Sequence, residues 1–171
     1  MEAIVVYESV WGNTAAVARA IAEGMGEGTQ AYPTDEVPAD RLANADLIVA
    51  GSPVFAFSLP SEGTRRKLLQ SETDGPTPDL SHPSLRTWLD GMPAGKGFAA
   101  AFETRIWWSP RGATGTIEKK LAKAGYQRLD TAEKFVVQDK YGPLREGELE
   151  RARAWGASLR RSMLAAPGKA A

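Results

Sequence analysis

The sequence predicts a doubly wound α/β fold, in which helices cover both faces of a five-stranded parallel sheet. Short apolar runs of strand length alternate five times with segments whose apolar residues recur at helical spacing. Crossovers of helix length between successive strands give parallel pairing. The runs are also apolar nearly throughout, as in "AIVVY" and "ADLIVA", which is typical of strands buried on both faces.

The first unit joins a buried strand at residues 4–6 to a helix whose apolar stripe contains Val17, Ile21 and Met25. The turn "ESVWGNT", residues 8–14, lies between them. The start of a helix presents unpaired backbone N–H groups and the positive end of the helix dipole, which together favour an anion such as phosphate. The turn therefore predicts a phosphate site, and ordinary helix capping is the alternative.

Short polar side chains in this turn suit phosphate binding. Ser9, Asn13 and Thr14 supply hydrogen-bond donors, and Gly12 permits close approach to the backbone. Neither Lys nor Arg occurs in the turn, so the P-loop pattern with its phosphate-binding lysine is absent. A phosphate site here would therefore be of a different kind.

Two further elements precede the next buried strand. A short strand is predicted at residues 30–32, within a stretch rich in Gly and Pro, and a short helix at residues 39–44. The run at residues 47–49 then repeats the opening pattern, because a buried strand leads directly into a Gly-Ser-Pro turn.

The second half of the chain continues the alternation. Small residues at 97–102, "GFAAAF", suit a central strand covered on both faces, and the polar turn "ETRIWWSPRG" follows it. The next helix carries Ile117 and Leu121 and ends at Gly125. The last strand, "KFVVQ", precedes a helix with apolar residues from 149 to 163.

The segment from residue 59 to residue 94 is longer than a simple crossover needs. It is predicted to contain two short helices, "SEGTRRKLLQ" and "SLRTWLDGM", joined by a loop. An insertion of this length is often a lid or an interaction surface, although such segments can also lack a function. We therefore expect one domain at residues 1–164 with an insertion at about 59–94, followed by a disordered tail at 165–171.

The composition excludes several classes of protein. Lys and Arg together number 21, as do Asp and Glu, so the formal net charge is zero. The overall charge therefore does not favour binding to nucleic acid or to an anionic membrane. There is no cysteine, so redox chemistry has to come from a bound cofactor. No run approaches the roughly 20 apolar residues of a membrane span, and the chain begins with a core strand rather than a signal-type segment. We therefore expect a cytoplasmic protein.

Three polar turns resemble those of the flavodoxin-like proteins: "SVWGNT", "GSPVFAF" and "FETRIWW". They follow the first, third and fourth of the five predicted strands. The alternation of strands and helices matches that family through about residue 163. The resemblance implies the strand order 2-1-3-4-5 and a flavin mononucleotide (FMN) bound non-covalently at the switch point of the sheet. The family's phosphate pattern, Ser/Thr-x-Ser/Thr-Gly-x-Thr, is matched by Ser9, Gly12, Asn13 and Thr14, whereas Trp11 departs from it.

The resemblance also assigns residues to the cofactor site. The phosphate loop would consist of six consecutive residues: Ser9, Val10, Trp11, Gly12, Asn13 and Thr14. One wall around the isoalloxazine ring would consist of Pro53, Val54, Phe55, Ala56 and Phe57. The other wall would consist of Thr104, Arg105, Ile106, Trp107 and Trp108. Aromatic faces stack well on a flat heterocycle, and packing beneath the loops is the alternative role for these side chains.

Several charged and polar residues near the expected site have two interpretations. A cation at Arg105 would favour the anionic reduced ring. Four basic residues have two interpretations, either a basic rim near the site or solvated charges on a helix face: Arg65, Arg66, Lys67 and Arg111. His82 is the only histidine, and without cysteines it cannot build a typical metal site, so it is predicted to be a surface residue.

The resemblance leads to a main functional hypothesis, which is non-covalent FMN binding in electron transfer, with a redox partner protein or a small-molecule acceptor such as a quinone. The first alternative is an FMN-dependent oxidoreductase with its own substrate, similar to quinone reductases or flavodoxin-like protoporphyrinogen oxidases. The long insertion and the neutral net charge favour it. The second alternative is a binding module that has lost the cofactor, which Trp11 favours.

Overall fold

Helices and strands alternate along the chain in the computed structural model, which describes residues 1–71 and 74–166. The strands of this part of the chain are β1 (Ala3–Tyr7), β2 (Gln30–Pro33), β3 (Leu47–Pro53), β4 (Phe98–Ile106), β5 (Gln127–Arg128) and β6 (Glu133–Val137). Its helices are α1 (Asn13–Met25), α2 (Ala39–Asn44), α3 (Glu62–Ser71), α4 (Leu85–Gly91), α5 (Thr114–Lys123) and α6 (Glu148–Ala165).

The strands form a parallel sheet in the order β2-β1-β3-β4-β5, and β6 also pairs with β4. This confirms the predicted strand order 2-1-3-4-5. The ladder between β1 and β3 runs from Ala3 opposite Leu47 to Tyr7 opposite Gly51. The carboxyl ends of these central strands therefore lie side by side, so the turns that follow them meet at one edge of the sheet.

The fifth position of the sheet is occupied by two short strands, whereas a single strand at residues 134–138 was predicted. β5 pairs with Phe98 and Ala99 at the start of β4, and β6 pairs with residues 102–106 at its end. Between them the Asp130 side chain accepts the N–H of Thr131 at 2.7 Å. The Leu129 N–H still donates to the carbonyl oxygen of Ala99 at 2.8 Å, and pairing with β4 resumes at Glu133.

β4 is longer than predicted, because the strand continues past residue 102 to Ile106. The interpretation of residues 103–106 as part of a turn is therefore wrong. Thr104 lies opposite Pro53 of β3 and also opposite Phe135 of β6, so the backbone there is paired on both sides. Only Trp107 and Trp108 of the predicted second wall belong to the turn itself.

Alternate residues of the strands enter two apolar layers on opposite faces of the sheet. On β1, Val5 and Tyr7 pack into the layer that includes side chains of α1 and α6. Ile4 and Val6 pack into the layer that includes side chains of α4 and α5. Burial of both faces explains the continuous apolar runs and confirms the doubly wound arrangement.

Glycines allow α1 and α6 to approach each other closely. A Cβ atom at Gly24 would lie 2.0 Å from the carbonyl oxygen of Arg153, and one at Gly156 would lie 2.2 Å from that of Ile21. A larger residue at either position would separate the helices, because packed interiors leave little space. This contact helps to fix α1, whose amino terminus lies at the carboxyl edge of the sheet.

The insertion contains α3 and α4 at the positions where the sequence predicts helices. The Ser61 hydroxyl accepts the N–H of Thr64 at 3.1 Å before the first of them. The Ser84 hydroxyl accepts the N–H of Thr87 at 3.1 Å before the second. Both helices therefore begin at a serine that satisfies a free backbone donor.

The end of the chain differs slightly from the prediction. Ala165 was assigned to the disordered tail, but it is the last residue of α6. Ala166, also assigned to that tail, follows the helix and donates its N–H to the carbonyl oxygen of Met163, whereas residues 167–171 lie outside the described residues. Within the described ranges, the structure contains no helix with the length and hydropathy needed to cross a membrane.

Candidate functional site

The turn after β1, residues 9–14, is termed the anion loop. Gly12 adopts the left-handed conformation, with φ of 91°, and α1 begins at the next residue. The Ser9 hydroxyl accepts the N–H groups of Gly12 and Ala15, each at 3.2 Å. The amides of Asn13 and Thr14 have no intrahelical acceptor and lie at the positive end of the helix dipole. The loop therefore provides backbone donors for an anion without a cationic side chain.

Two polar side chains of the loop connect it to other parts of the sheet edge. The Thr14 and Thr104 hydroxyls lie 2.7 Å apart and share a hydrogen bond between α1 and β4. The Asn13 side-chain amide donates to the carbonyl oxygen of Tyr141 at 2.9 Å. These bonds fix the start of α1 against β4 and against the turn after β6.

Trp11 is half-buried and packs between two aromatic rings. Its ring packs edge-on against Phe55 with a centroid distance of 5.4 Å, and edge-on against Tyr141 at 4.9 Å. Edge-to-face pairs of this kind are favourable aromatic arrangements. The tryptophan that replaces a hydroxyl in the resembled pattern therefore forms part of an aromatic cluster beside the loop.

A cavity of about 370 Å³ lies beside the anion loop, at the carboxyl ends of β1, β3, β4 and β6. This volume falls within the range of about 300–1,000 Å³ that is usual for small-molecule sites. Most of the predicted site residues line the cavity: Val10, Trp11, Asn13, Thr14, Pro53, Val54, Phe55, Thr104, Arg105, Ile106 and Trp108.

The other predicted site residues lie around this cavity without lining it. Ser9 is buried at the start of the anion loop, where its hydroxyl accepts two backbone N–H groups, and Gly12 adopts the left-handed conformation. Ala56 and Phe57 occupy the tip of the turn after β3, and Trp107 is 69% exposed at the rim. These five residues support or surround the cavity, but they are not among its walls.

The turn after β3 is tight and strained. Phe55 and Ser58 exchange two backbone hydrogen bonds, of 3.2 and 3.0 Å. Between them Ala56 and Phe57 both have positive φ, 48° and 59°, which costs non-glycine residues on the order of 1–3 kcal/mol each. The turn directs Phe55 towards Trp11 and brings Phe57 within 6.0 Å of the Trp108 ring.

Four residues at the end of β6 and directly after it also line the cavity, and none of them was among the predicted site residues. They are Val137, Gln138, Asp139 and Lys140. They meet the same condition as the other turns, because β6 is parallel to β4 and ends at the same edge of the sheet. The predicted strand "KFVVQ" marks the position of this turn in the sequence.

Arg105 is paired with a buried acid. Its guanidinium donates to Glu103 Oε1 at 3.1 Å, and Glu103 is fully buried. The second carboxylate oxygen of Glu103 accepts the N–H groups of Ala113 and Thr114, at 2.6 and 2.9 Å, at the start of α5. The electrostatic effect of Arg105 on the cavity is therefore reduced by a neighbouring negative charge.

A second group of ionisable side chains lies buried behind the anion loop, and here two predictions are wrong. Arg65 is 2% exposed, so it is neither a rim residue nor a solvated charge, and its Nε lies 3.0 Å from Glu8 Oε1. His82 is 5% exposed rather than on the surface. The reason is that Glu8 and the loop offer polar partners far away in sequence, which local patterns do not reveal.

Burial shifts the titration of both groups around Arg65. It raises the pKa of Glu8 from its ordinary value of 4.5 to about 7, against the opposing effects of the Leu85 amide and Arg65. The Leu85 N–H donates to Glu8 Oε2 at 2.9 Å. Burial also lowers the pKa of His82, and the positive charge of Arg65 acts in the same direction.

No family model matches this chain, and no curated protein matches it by sequence. Solved structures do match. A flavodoxin from the domain Archaea is 23% identical with a TM-score of 0.66, over 96% of this chain and 99% of that one. A flavodoxin, WrbA-like protein from Agrobacterium tumefaciens is 18% identical with a TM-score of 0.61, over 95% and 97%. Rubredoxin oxygen:oxidoreductase from Desulfovibrio gigas is 16% identical with a TM-score of 0.60, over 95% of this chain but 36% of that protein. The chain therefore has the flavodoxin-like fold.

Proposed function

We propose that this protein binds FMN non-covalently and acts in electron transfer. The observation that carries this proposal is that an anion loop without cationic side chains opens onto an apolar cavity with aromatic walls. A phosphate ester with a flat heterocycle combines the two chemistries that these parts select. The similarity to solved flavodoxins supports the same cofactor. The flavin supplies the redox chemistry, and the protein supplies binding, orientation and electrostatics.

The residues of the anion loop suit a phosphate group. The first-turn amides of Asn13 and Thr14 would donate to the phosphate oxygens, and the helix dipole would favour their negative charge. The Thr14 and Thr104 hydroxyls have two hydrogens but share only one hydrogen bond, so the second hydrogen can also be donated. Gly12 fits this role because its φ of 91° is strained for any other residue type.

The walls of the cavity suit an isoalloxazine ring. Trp11, Phe55 and Trp108 would offer aromatic surface, and Val54 and Ile106 would exclude water from the ring. Gln138, which was not among the predicted site residues, adds a side-chain amide that can donate to or accept from a heterocycle.

The exposed aromatic rim favours a second candidate function, in which the protein oxidises or reduces a substrate of its own. Phe57, Trp107 and Trp108 are 38%, 69% and 55% exposed beside the cavity. Large exposed aromatic groups indicate an interaction site, and a planar acceptor such as a quinone could stack there. Oxidation of reduced pyridine nucleotide by the FMN-loaded protein, dependent on added quinone, would favour this function over a carrier. In either case we expect a cytoplasmic protein.

Titration of flavin-free protein with FMN and with riboflavin tests the proposed cofactor. Two charge-assisted hydrogen bonds, each contributing about 1.5 kcal/mol, correspond to an affinity for FMN that is higher by about 100-fold. Flavin and tryptophan fluorescence report the binding. Equal affinity for the two ligands would contradict the assignment of the anion loop, and binding of neither would contradict the proposed function.

A further inference from the structure

The segment between α3 and α4 crosses behind the anion loop and bonds to it. The Ser9 N–H donates to His82 Nε2 at 3.1 Å, in a buried contact between residues 73 positions apart. The Asp79 N–H donates to the carbonyl oxygen of Val10 at 2.9 Å. Successive residues of the loop are therefore held from the same side by one piece of the insertion.

The next residue of the loop contacts the same piece of chain. The Trp11 indole N–H donates to the carbonyl oxygen of Pro76 at 3.4 Å. Contacts with residues 76, 79 and 82 thus reach residues 11, 10 and 9 in turn. The segment and the loop run past each other in opposite directions, joined at regular intervals.

A buried ion pair anchors this segment to the sheet. Arg65 of α3 lies 3.0 Å from Glu8 of the strand end, and its Nη2 donates to the carbonyl oxygen of His82 at 2.5 Å. Both side chains of this pair are almost completely buried, and Arg65 Nη1 also donates to Glu62 Oε2 at 3.0 Å. The backbone of His82 is therefore fixed at the place from which its side chain reaches Ser9.

The protonation state of His82 matches its role as an acceptor. Because Nε2 accepts the Ser9 N–H, a neutral imidazole carries its hydrogen on Nδ1. Burial and the nearby Arg65 both lower the pKa of His82, which keeps the ring neutral at physiological pH. A protonated ring would present a donor to another donor and would lose the bond.

We propose that residues 74–82 act as a brace for the anion loop, with His82 as a positioning residue. The Ser9 hydroxyl holds the amides of Gly12 and Ala15, so fixing Ser9 also fixes the turn into α1. A loop that is ordered before the ligand arrives loses less conformational entropy on binding. This proposal rests on the proposed function for its ligand, and it gives the insertion a specific role at the site.

Amide hydrogen exchange in the flavin-free protein tests the brace without any ligand. In His82→Ala, exchange of the Ser9 and Gly12 amides is expected to become about 2- to 10-fold faster, the range for loss of one hydrogen bond. Exchange in α6 should stay the same. His82→Gln should restore protection, because its amide oxygen can accept the Ser9 N–H. Unchanged exchange at Ser9 and Gly12 would overturn the proposal.

Ligand binding provides a second readout. In His82→Ala, the ratio of FMN affinity to riboflavin affinity should fall by the same factor, and His82→Gln should restore it. Gln70→Ala, at an exposed and uncharged position of the same insertion, is the matched control and should leave the ratio unchanged. Equal loss of both affinities, or no recovery with Gln, would indicate a general structural role and overturn the proposal.

The exchange and binding experiments distinguish failure of the brace proposal from failure of the proposed FMN-binding function. If the unmodified protein binds no flavin, the proposed function fails, and the exchange experiment alone decides whether the brace exists. If His82→Ala does not fold, His82→Asn replaces it, because the shorter side chain keeps an amide but does not reach Ser9. Faster exchange in His82→Asn than in His82→Gln would support the brace, and equal rates would overturn it.

Discussion

Replacement of Glu8 by Gln tests the buried group behind the anion loop. Glu8 is fully buried, and its carboxylate contacts Arg65 at 3.0 Å and the Leu85 amide at 2.9 Å. Burial raises its pKa from 4.5 to about 7, so the folded protein holds a proton at pH values where the unfolded chain has lost it. Gln keeps the shape and an acceptor oxygen but cannot titrate.

The sign and size of the effect follow from this pKa difference. The folded state binds more protons than the unfolded state between about pH 4.5 and pH 7, so the free energy of unfolding contributed by Glu8 falls as the pH rises through that window. Above about pH 7 the contribution becomes constant. The shift of about 2.5 pH units corresponds to on the order of 3 kcal/mol.

Urea unfolding at several pH values from about 5 to 8 measures this contribution. The unfolding free energy of the unmodified protein minus that of Glu8→Gln should fall with rising pH. The lowered pKa of His82 acts in the opposite direction, but both proteins contain it, so the subtraction removes most of its effect. Glu146→Gln, at an exposed position, is the control for loss of one carboxylate. A difference that is constant, or that rises with pH, would refute this reasoning.

The remaining predictions concern helix packing and the anion loop. Gly156→Ala places a Cβ atom 2.2 Å from the carbonyl oxygen of Ile21, so urea unfolding should show a loss of about 1–3 kcal/mol in the free energy of unfolding. Gly115→Ala is the control, because its added atom meets nothing within 4 Å, and it should be neutral or slightly stabilising. Stability loss in both variants alike would contradict the packing argument. Asn13→Ala combined with Thr14→Ala should weaken FMN binding about tenfold with little change for riboflavin, and equal loss of flavin-free stability without loss of affinity would indicate simple helix capping.

The sequence was sufficient to predict the main elements of the sheet because their signals are local. Residues 4–6 and 47–49 form continuous apolar runs, and such runs specify strands that are buried on both faces. The outer strands beside β4 were less predictable. β5 has only two residues, both exposed, so no apolar pattern marks it. The extension of β4 to Ile106 depends on pairing with β6, which is a long-range contact.

The candidate site shows the same division between local and long-range information. The loop and the two later turns were selected because each follows a predicted strand, and most of their residues line one cavity. Burial of Arg65 and His82 depends instead on partners at Glu8 and Ser9, which are remote in sequence. A charged residue on a short amphipathic helix is usually solvated, so nothing in the local pattern distinguished Arg65 from Arg66.

Amide-resolved NMR of the labelled protein during FMN addition tests most directly whether the anion loop and its cavity form a flavin site. The amide protons of Asn13 and Thr14 should shift downfield with FMN, because they would donate to phosphate, and much less with riboflavin. Resonances of Trp11 and Trp108 should respond to both ligands, since these side chains line the cavity. Shifts confined to residues outside the cavity, or identical responses of Asn13 and Thr14 to the two flavins, would contradict the account.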